Sequence, residues 1–230
     1  MVYISSAGAL SIPFTLKNNC RRPIWPGTLT GGGTPQLSTT GFQLNFGESR
    51  TVDAPPTWSG RFWARTRCSN STGKFICATA DCGSGQVECN GAGAIPPATL
   101  VEFTLSGAGN QDFYDVSLVD GYNIPVSVTP KHGCKSTSCR VDINKVCPRE
   151  LSVKSSRKKT TVACKSACEA FNEPKYCCTG AFGNPETCPP TNFSKIFKKA
   201  CPQAYSYAYD DKTSTFTCPA GSGYLITFCP

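Results

Sequence analysis

The chain has 230 residues, of which 39% are hydrophobic and 17% are charged, and no stretch approaches the roughly twenty apolar residues of a membrane-spanning helix. This composition supports a folded core and excludes a transmembrane protein. The 23 basic and 15 acidic residues give a formal charge of +8, which favours anionic surfaces but indicates no particular chemistry.

The first fourteen residues do not have the pattern of a secretory signal. Ser5, Ser6 and Gly8 interrupt the apolar run, and no basic residue precedes it. We still expect a secreted, extracellular protein, because the cysteine content described below is typical of an oxidising compartment.

Residues 11–67 have the pattern of short strands separated by turns, which is typical of a β-sandwich or barrel. The predicted strands are 12–16, 41–46, 50–52 and 60–67, with a turn at 31–33. In the last strand Arg61, Arg65 and Arg67 alternate with other residues and share a face with Trp63. A regular strand would therefore present one strongly cationic face.

Residues 68–95 contain four cysteines and are too short and too rich in turns to have a core of their own, so we expect a disulfide-stapled insert. Strands resume at 98–105, 113–119 and 124–129, where β-branched and aromatic residues are frequent.

Residues 139–201 contain eight cysteines and two predicted short helices, at 162–171 and 191–200. Pro190 followed by Thr191 suits the start of the second helix. The last predicted strands are 215–218 and 224–229. The predicted fold class is thus mainly β: a β-sandwich core formed by 11–67, 96–138 and 202–230, a small disulfide-rich insert at 68–95, and a cysteine-rich insert with short helices at 139–201.

Sixteen cysteines, an even number far above ordinary usage, indicate a disulfide framework. Zinc binding is the alternative, but zinc sites commonly include histidine, and His132 is the single histidine. Redox chemistry is a further alternative at Cys177 and Cys178, although adjacent cysteines are more often two separate bridges. We expect sixteen structural cysteines, no metal ion and no other cofactor.

Basic residues are concentrated between positions 149 and 165. The central ones are Lys154, Arg157, Lys158 and Lys159. No aromatic residue is interleaved with them, so we expect a solvated loop and no nucleic-acid partner. Two sequons, beginning at Asn70 and Asn192, are candidate glycosylation sites.

The segment GKFICATADCG at 73–83, which continues through Gly85-Gln86 to Cys89, closely resembles the signature of the thaumatin-like proteins. The resemblance covers essentially the whole chain, with further matches at 60–63 (GRFW), 114–123 (YDVSLVDGYN) and 228–230 (FCP). It implies a thaumatin-like β-sandwich core of the larger, sixteen-cysteine plant type. For a plant protein it also implies location in the apoplast or the vacuole.

The resemblance further implies a disulfide pairing that composition alone cannot choose. The implied pairs are Cys20–Cys229, Cys68–Cys77, Cys82–Cys89, Cys134–Cys218, Cys139–Cys201, Cys147–Cys164, Cys168–Cys177 and Cys178–Cys188.

Antifungal members of the family carry an acidic cleft of one arginine and four acids, and the resemblance assigns these roles to five residues here. They are Arg61, Glu102, Asp115, Asp120 and Asp210. Asp210 is adjacent to Asp211, and the sequence does not decide which of the two faces the cleft. We assign Glu102 as a candidate general acid and Asp120 as a candidate base or nucleophile, with the other three binding substrate.

Structural explanations compete with this assignment, because each acid taken singly is more often a turn or ion-pair residue. Asp115 and Asp120 are five residues apart, so a regular strand points them to opposite faces unless a bulge or turn re-aims one. Seven aromatic residues are candidates for sugar stacking, and we expect at most two to line the cleft. They are Phe75, Phe103, Tyr114, Tyr122, Tyr205, Tyr207 and Tyr209.

The function that the resemblance implies is antifungal defence by a monomer that binds β-1,3-glucan or a related wall polysaccharide and has weak endo-glucanase activity. With Glu102 as the acid and Asp120 ionised, the titration of carboxyl groups predicts an optimum at roughly pH 4 to 6. The alternative is a non-catalytic module that binds carbohydrate or protein, either as an inhibitor of wall-degrading enzymes or as a receptor binder like the sweet-tasting members of the family.

Overall fold

A computed structural model describes residues 11–70, 73–155 and 159–230. Three interpretations of the sequence involve residues outside these ranges. They concern the first ten of the fourteen residues that lack the pattern of a secretory signal, positions 71 and 72 of the first sequon, and Arg157 and Lys158 of the basic stretch. No helix within the described ranges has the length and apolar character needed to span a membrane.

The described residues form twelve strands in three sheets. The strands are β1 (Ile12–Asn18), β2 (Ile24–Thr30), β3 (Ser49–Ala54), β4 (Ser59–Thr66), β5 (Leu100–Thr104), β6 (Gln111–Ser117), β7 (Val126–Pro130), β8 (Thr137–Cys139), β9 (Ser152–Lys154), β10 (Thr161–Cys164), β11 (Phe216–Pro219) and β12 (Tyr224–Phe228). The first sheet has the order β3-β1-β12-β7-β8, the second has the order β11-β6-β5-β4-β2, and β9 pairs with β10.

The two five-stranded sheets face each other across an aromatic core. Phe14 of β1 contacts Phe62 of β4 and Phe103 of β5, with ring centroids 5.0 and 4.7 Å apart. Tyr224 of β12 lies 4.8 Å from Phe103, and all four side chains are buried. Burying such a side chain stabilises the fold by about 1.5–3 kcal/mol. The twelve strands and the two facing sheets confirm the predicted mainly β fold.

Four of the observed strands, β2, β8, β9 and β10, were not predicted, and one predicted strand is wrong. Pro26 and Gly27 interrupt the pattern of β2, yet the strand forms because it lies at the end of its sheet, where a proline is tolerated. A side chain at Gly27 would meet the ring of Trp63 at 2.5 Å. Residues 41–46 form only two isolated bridges, from Gly41 to Gly27 and from Leu44 to Ile24, beside β2.

The predicted cationic face of β4 is also wrong. Arg65 is fully buried, and its guanidinium lies 5.4 Å from the centre of the Phe75 ring. It donates hydrogen bonds to three backbone carbonyls, those of Trp25, Pro26 and Val87. Burial lowers the pKa of Arg65 to about 10. Arg67 lies beyond the end of the strand, and residues from 68–95 cover the face that Arg65 shares with Trp63.

The helices are α1 (Ala167–Phe171), α2 (Pro174–Cys177), α3 (Asn192–Ala200) and α4 (Asp211–Ser214). The helix predicted at 162–171 is wrong in its first part, because residues up to Cys164 belong to β10. The helix starts after Ser166, whose side chain accepts a hydrogen bond from the amide of Glu169. The helix predicted at 191–200 is confirmed, with Thr191 and Ser194 forming a capping box at its start.

Among the described residues, the two longest stretches that contribute no strand to either five-stranded sheet lie between β4 and β5 and between β8 and β11. Trp63 and Leu100 pack against Ala80, Cys82 and Cys89 of the first stretch in a small second core. The division of the chain into a β core and two inserts stays a prediction, and it agrees with this arrangement.

All sixteen cysteines are joined in eight disulfides, in the pairs that the resemblance implies. Cys20–Cys229 links residues 209 positions apart, whereas Cys68–Cys77 closes a short loop. A disulfide contributes about 2–4 kcal/mol, mainly by restricting the unfolded chain.

We expect the protein, denatured without a reductant, to show no free thiol in a titration with a thiol reagent, because every cysteine has a partner. The same sample treated with reductant should titrate all sixteen cysteines, which serves as the control. Two or more free thiols per chain before reduction would contradict the pairing.

Candidate functional site

Three charged side chains lie side by side on the outward face of the second sheet. In the strand register Arg61 of β4 is opposite Glu102 of β5, which is opposite Asp115 of β6. Directly opposed residues point the same way, and the sequence neighbours Phe62 and Val116 are fully buried in the core on the other face. We call Arg61, Glu102 and Asp115 the charged row.

Arg61 and Glu102 form an ion pair, with Nε and Oε1 3.6 Å apart. Their side chains are 40% and 35% exposed, so solvent screens the pair and it adds little to stability. Burial raises the pKa of Glu102, the guanidinium of Arg61 opposes that rise, and the carboxylate of Asp120 adds to it. The pair therefore orients two charged side chains at the surface of the site.

Asp115 has the most unusual environment in the row. Burial, followed by the charges of Glu102 and Asp211, raises its pKa to about 8, although Arg61 opposes the shift. Its Oδ1 atom is buried and has no hydrogen-bond partner among the described residues. At neutral pH Asp115 is therefore largely protonated, and its Oδ1 atom has no hydrogen bond within the described part of the chain.

Asp120 reaches the same region through a turn that follows β6. The backbone of Gly121 has a φ of +85°, and an added Cβ would lie 2.6 Å from the carbonyl oxygen of Cys164, so only glycine suits this turn. Burial raises the pKa of Asp120 and Arg61 lowers it, which places the carboxyl within the field of that guanidinium. A regular strand would point Asp115 and Asp120 to opposite faces of the sheet. The turn at Gly121 brings Asp120 to the same region as Asp115.

Asp210 has partners outside the charged row. Its Oδ2 atom lies 2.9 Å from Nζ of Lys198 and accepts hydrogen bonds from the amide and hydroxyl of Ser206. These contacts fix the segment before α4 to α3.

Asp211 is the acid that the structure brings toward the row in its place. Its carboxylate raises the pKa of Asp115 and accepts a hydrogen bond of 2.9 Å from the hydroxyl of Tyr205. The amide of Tyr205 in turn bonds the carbonyl of Val116 in β6. Sequence reasoning left these two adjacent aspartates undecided, and their tertiary partners separate them.

A groove of about 190 Å³ lies beside the charged row and extends past it. The polar and aromatic residues that line it are Thr30, Ser59, Arg61, Glu102, Phe103, Thr104, Phe113 and Asp115, and of these Phe103 was a predicted stacking residue. Ser59, Thr104 and Phe113 were not among the sequence candidates. Of the seven predicted stacking residues, four are buried and three are half-buried, namely Tyr205, Tyr207 and Tyr209.

The groove is suited to a neutral polar ligand. It offers two carboxyl groups, one guanidinium and several hydroxyls, all groups that bond sugar hydroxyls. Within the described ranges, no three or more histidine, cysteine, aspartate or glutamate residues are grouped so as to hold a metal ion.

The sequence model of the thaumatin family matches residues 18–230. "Thaumatin-like protein 1" of Prunus persica is 63% identical over 234 residues, which cover 100% of this chain and 94% of that protein. "Glucan endo-1,3-beta-glucosidase" of Prunus avium is 59% identical over 234 residues (100% and 95%), and "Pathogenesis-related protein 5" of Arabidopsis thaliana is 55% identical over 235 residues (100% and 95%).

Two solved structures share the fold at low sequence identity. A laminaripentaose-producing β-1,3-glucanase in complex with laminaritetraose aligns with a TM-score of 0.63 at 12% identity, covering 96% of this chain and 99% of that one. A thaumatin-like xylanase inhibitor aligns with a TM-score of 0.51 at 20% identity, covering 95% and 99%. At these identities the likeness concerns the fold alone.

Proposed function

Since the chain belongs to the thaumatin family, we propose that it is an extracellular antifungal defence protein whose acidic cleft binds β-1,3-glucan or a related wall polysaccharide. The name of the Arabidopsis relative, a pathogenesis-related protein, supports the defence role. Eight disulfides support an extracellular location, because such bonds persist in oxidising compartments.

The observation that carries the proposal is the charged row in the wall of the groove. Arg61, Glu102 and Asp115 all line the groove, and the first two are 40% and 35% exposed. Sugar hydroxyls can bond these carboxyl and guanidinium groups, which have donor and acceptor positions suited to them.

Hydrolysis is a second candidate function, supported by the unequal carboxyls of the cleft. Cleavage of a glycosidic bond needs one protonated carboxyl and one ionised carboxyl near the same bond. Asp115, with its pKa raised to about 8, is the better proton donor. Glu102 and Asp120 then compete for the role of ionised partner, both under the influence of Arg61. The name of the Prunus avium relative agrees with this activity.

This assignment differs from the one made on sequence, in which Glu102 was the acid and Asp120 the base. The physical reason is that burial raises the pKa of Asp115 to about 8, whereas at Glu102, where burial also raises the pKa, the ion pair with Arg61 is the main opposing influence. The role of Asp210 in binding passes to Asp211, because Asp210 is paired with Lys198.

We expect Asp115→Ala to weaken the binding of a soluble β-1,3-gluco-oligosaccharide by about tenfold or more, since the variant removes a carboxyl that lines the groove and that the sugar would bond. Isothermal titration at pH 6 measures the effect. The matched control is the double variant Lys154→Ser with Lys159→Ser in the exposed basic stretch. It should bind like the parent, because a neutral glucan offers no anion to these lysines.

The opposite pattern, in which the lysine variant loses binding and Asp115→Ala retains it, would place the site on the basic surface. Absence of binding by the parent to any β-1,3-gluco-oligosaccharide would overturn the proposed ligand.

A further inference from the structure

A second row of side chains lies next to the charged row on the same face of the second sheet. Ser59 of β4 is opposite Thr104 of β5, and Thr104 is opposite Phe113 of β6. Each stands two positions along its strand from a member of the charged row, so it points outward in the same direction, about 6–7 Å away. We call Ser59, Thr104 and Phe113 the hydroxyl row.

The outward face is covered on one side of the charged row, and the hydroxyl row lies on the other side. Trp63 and Leu100, on the other side of the charged row, are buried beneath the disulfide-rich stretch that contains Ala80 and Cys82. Thr104 is exposed, and Ser59 and Phe113 are half-buried. Both rows line one groove of about 190 Å³, so a ligand held at Asp115 lies next to Phe113.

Phe113 differs from its neighbours in the strands of this sheet. Phe103 and Tyr114 are buried and pack against other aromatic rings of the core, whereas Phe113 has no aromatic ring contact among the described residues and stays partly open to the groove. Gly107 lies behind it, and a Cβ there would be 3.0 Å from two carbons of the ring. The ring is thus backed on one side and accessible on another.

The hydroxyls beside Phe113 retain hydrogen-bonding capacity. Ser59 Oγ lies 3.2 Å from both the carbonyl oxygen of Phe103 and Oγ1 of Thr104. A hydroxyl has one donor and two acceptor positions, so each of the two still has free positions for a ligand. A flat apolar ring next to free hydroxyls complements a pyranose, which has apolar C–H faces and a rim of hydroxyls.

We propose that the hydroxyl row is a second glycosyl subsite, in which Phe113 stacks against one sugar ring while Ser59 and Thr104 bond its hydroxyls, next to the sugar held by the charged row. This inference rests on the proposed function and adds a requirement to it: the ligand must be an oligosaccharide long enough to occupy both rows. Phe113 then contributes to the preference for chain length.

The test is the affinity of the parent and of Phe113→Ala for β-1,3-gluco-oligosaccharides of two to six sugars. We expect the variant to bind the longest oligosaccharide about fivefold to tenfold more weakly and to lose most of the gain in affinity that the parent shows with length. Phe46→Ala is the matched control, because Phe46 is 65% exposed and lies outside the groove. It should bind every length like the parent.

Two conservative variants guard against an effect on folding. Phe113→Trp keeps a flat ring and should retain the parent's affinity, whereas Phe113→Leu keeps apolar volume without the ring and should behave like the alanine variant. If the parent binds and Phe113→Ala has parental affinity at every length, the subsite is wrong while the proposed function stands. If the parent binds no oligosaccharide, the proposed function itself fails.

Discussion

Asp115→Asn should reduce the hydrolysis of a soluble β-1,3-glucan by about 10²-fold to 10⁴-fold, the usual contribution of a general acid, while binding largely survives. Asparagine keeps the shape and neutrality of the protonated carboxyl, but it has no proton to donate to the leaving oxygen. Glu102→Gln is the informative companion, because it removes the carboxylate that the Arg61 ion pair favours.

The pH dependence follows from the same environment. The protonated form of Asp115 is lost as pH rises through its pKa, which burial raises to about 8, so the rate should fall above that value. At low pH the rate falls because the partner, Glu102 or Asp120, becomes protonated. Activity should therefore extend well above the interval of roughly pH 4 to 6 expected when Glu102 is the donor.

The measurement is the release of reducing ends across pH by the parent and the two variants, with binding measured alongside. Parental rates for Asp115→Asn together with inactive Glu102→Gln would restore Glu102 as the acid. If the parent binds glucan but releases no sugar at any pH, hydrolysis is excluded and the cleft is a lectin-like site.

Arg65→Leu should lower the free energy of unfolding by about 3–5 kcal/mol, because it removes the buried group that bonds three backbone carbonyls. The carbonyls of Trp25 and Pro26 belong to β2, and that of Val87 belongs to the stretch that covers β4. The variant thus loosens two segments at once. For a chain of this size the melting temperature should fall by about 10 °C.

Arg61→Leu is the matched control for stability, since Arg61 lies on the same face of the same strand but is 40% exposed and makes one screened ion pair. Its melting temperature, measured by calorimetry, should stay within a few degrees of the parent. Equal losses in the two variants would mean that the burial of Arg65 contributes nothing specific to the fold.

These two arginines show why the sequence predicts some features and not others. Alternation along 60–67 correctly gives Arg61 and Arg65 a common face. Which of them meets solvent depends on residues 68–95, which fold back over one half of the sheet and are tied by their own disulfides. No local pattern in β4 contains that information.

The residues of the candidate site show the same division. The strand pattern placed Glu102 and Asp115 in strands, but the turn that re-aims Asp120 and the partners that separate Asp210 from Asp211 are tertiary features. Phe113 is different, because the sequence did contain the information needed to place its side chain. It stands two residues before Asp115 in a predicted strand, so an outward Asp115 implies an outward Phe113.

The position of β12 has a consequence for how the protein is made. β12 is the middle strand of the first sheet and pairs in parallel with β1, the first strand of the chain. At the usual rates of synthesis, more than 200 residues separate the emergence of these strands by roughly 10 to 40 s. Before β12 emerges, β1 can pair with β3 alone, so the other edge of β1 stays unpaired for that interval. Completion of this sheet therefore waits for β12, even though β1 is made at the start.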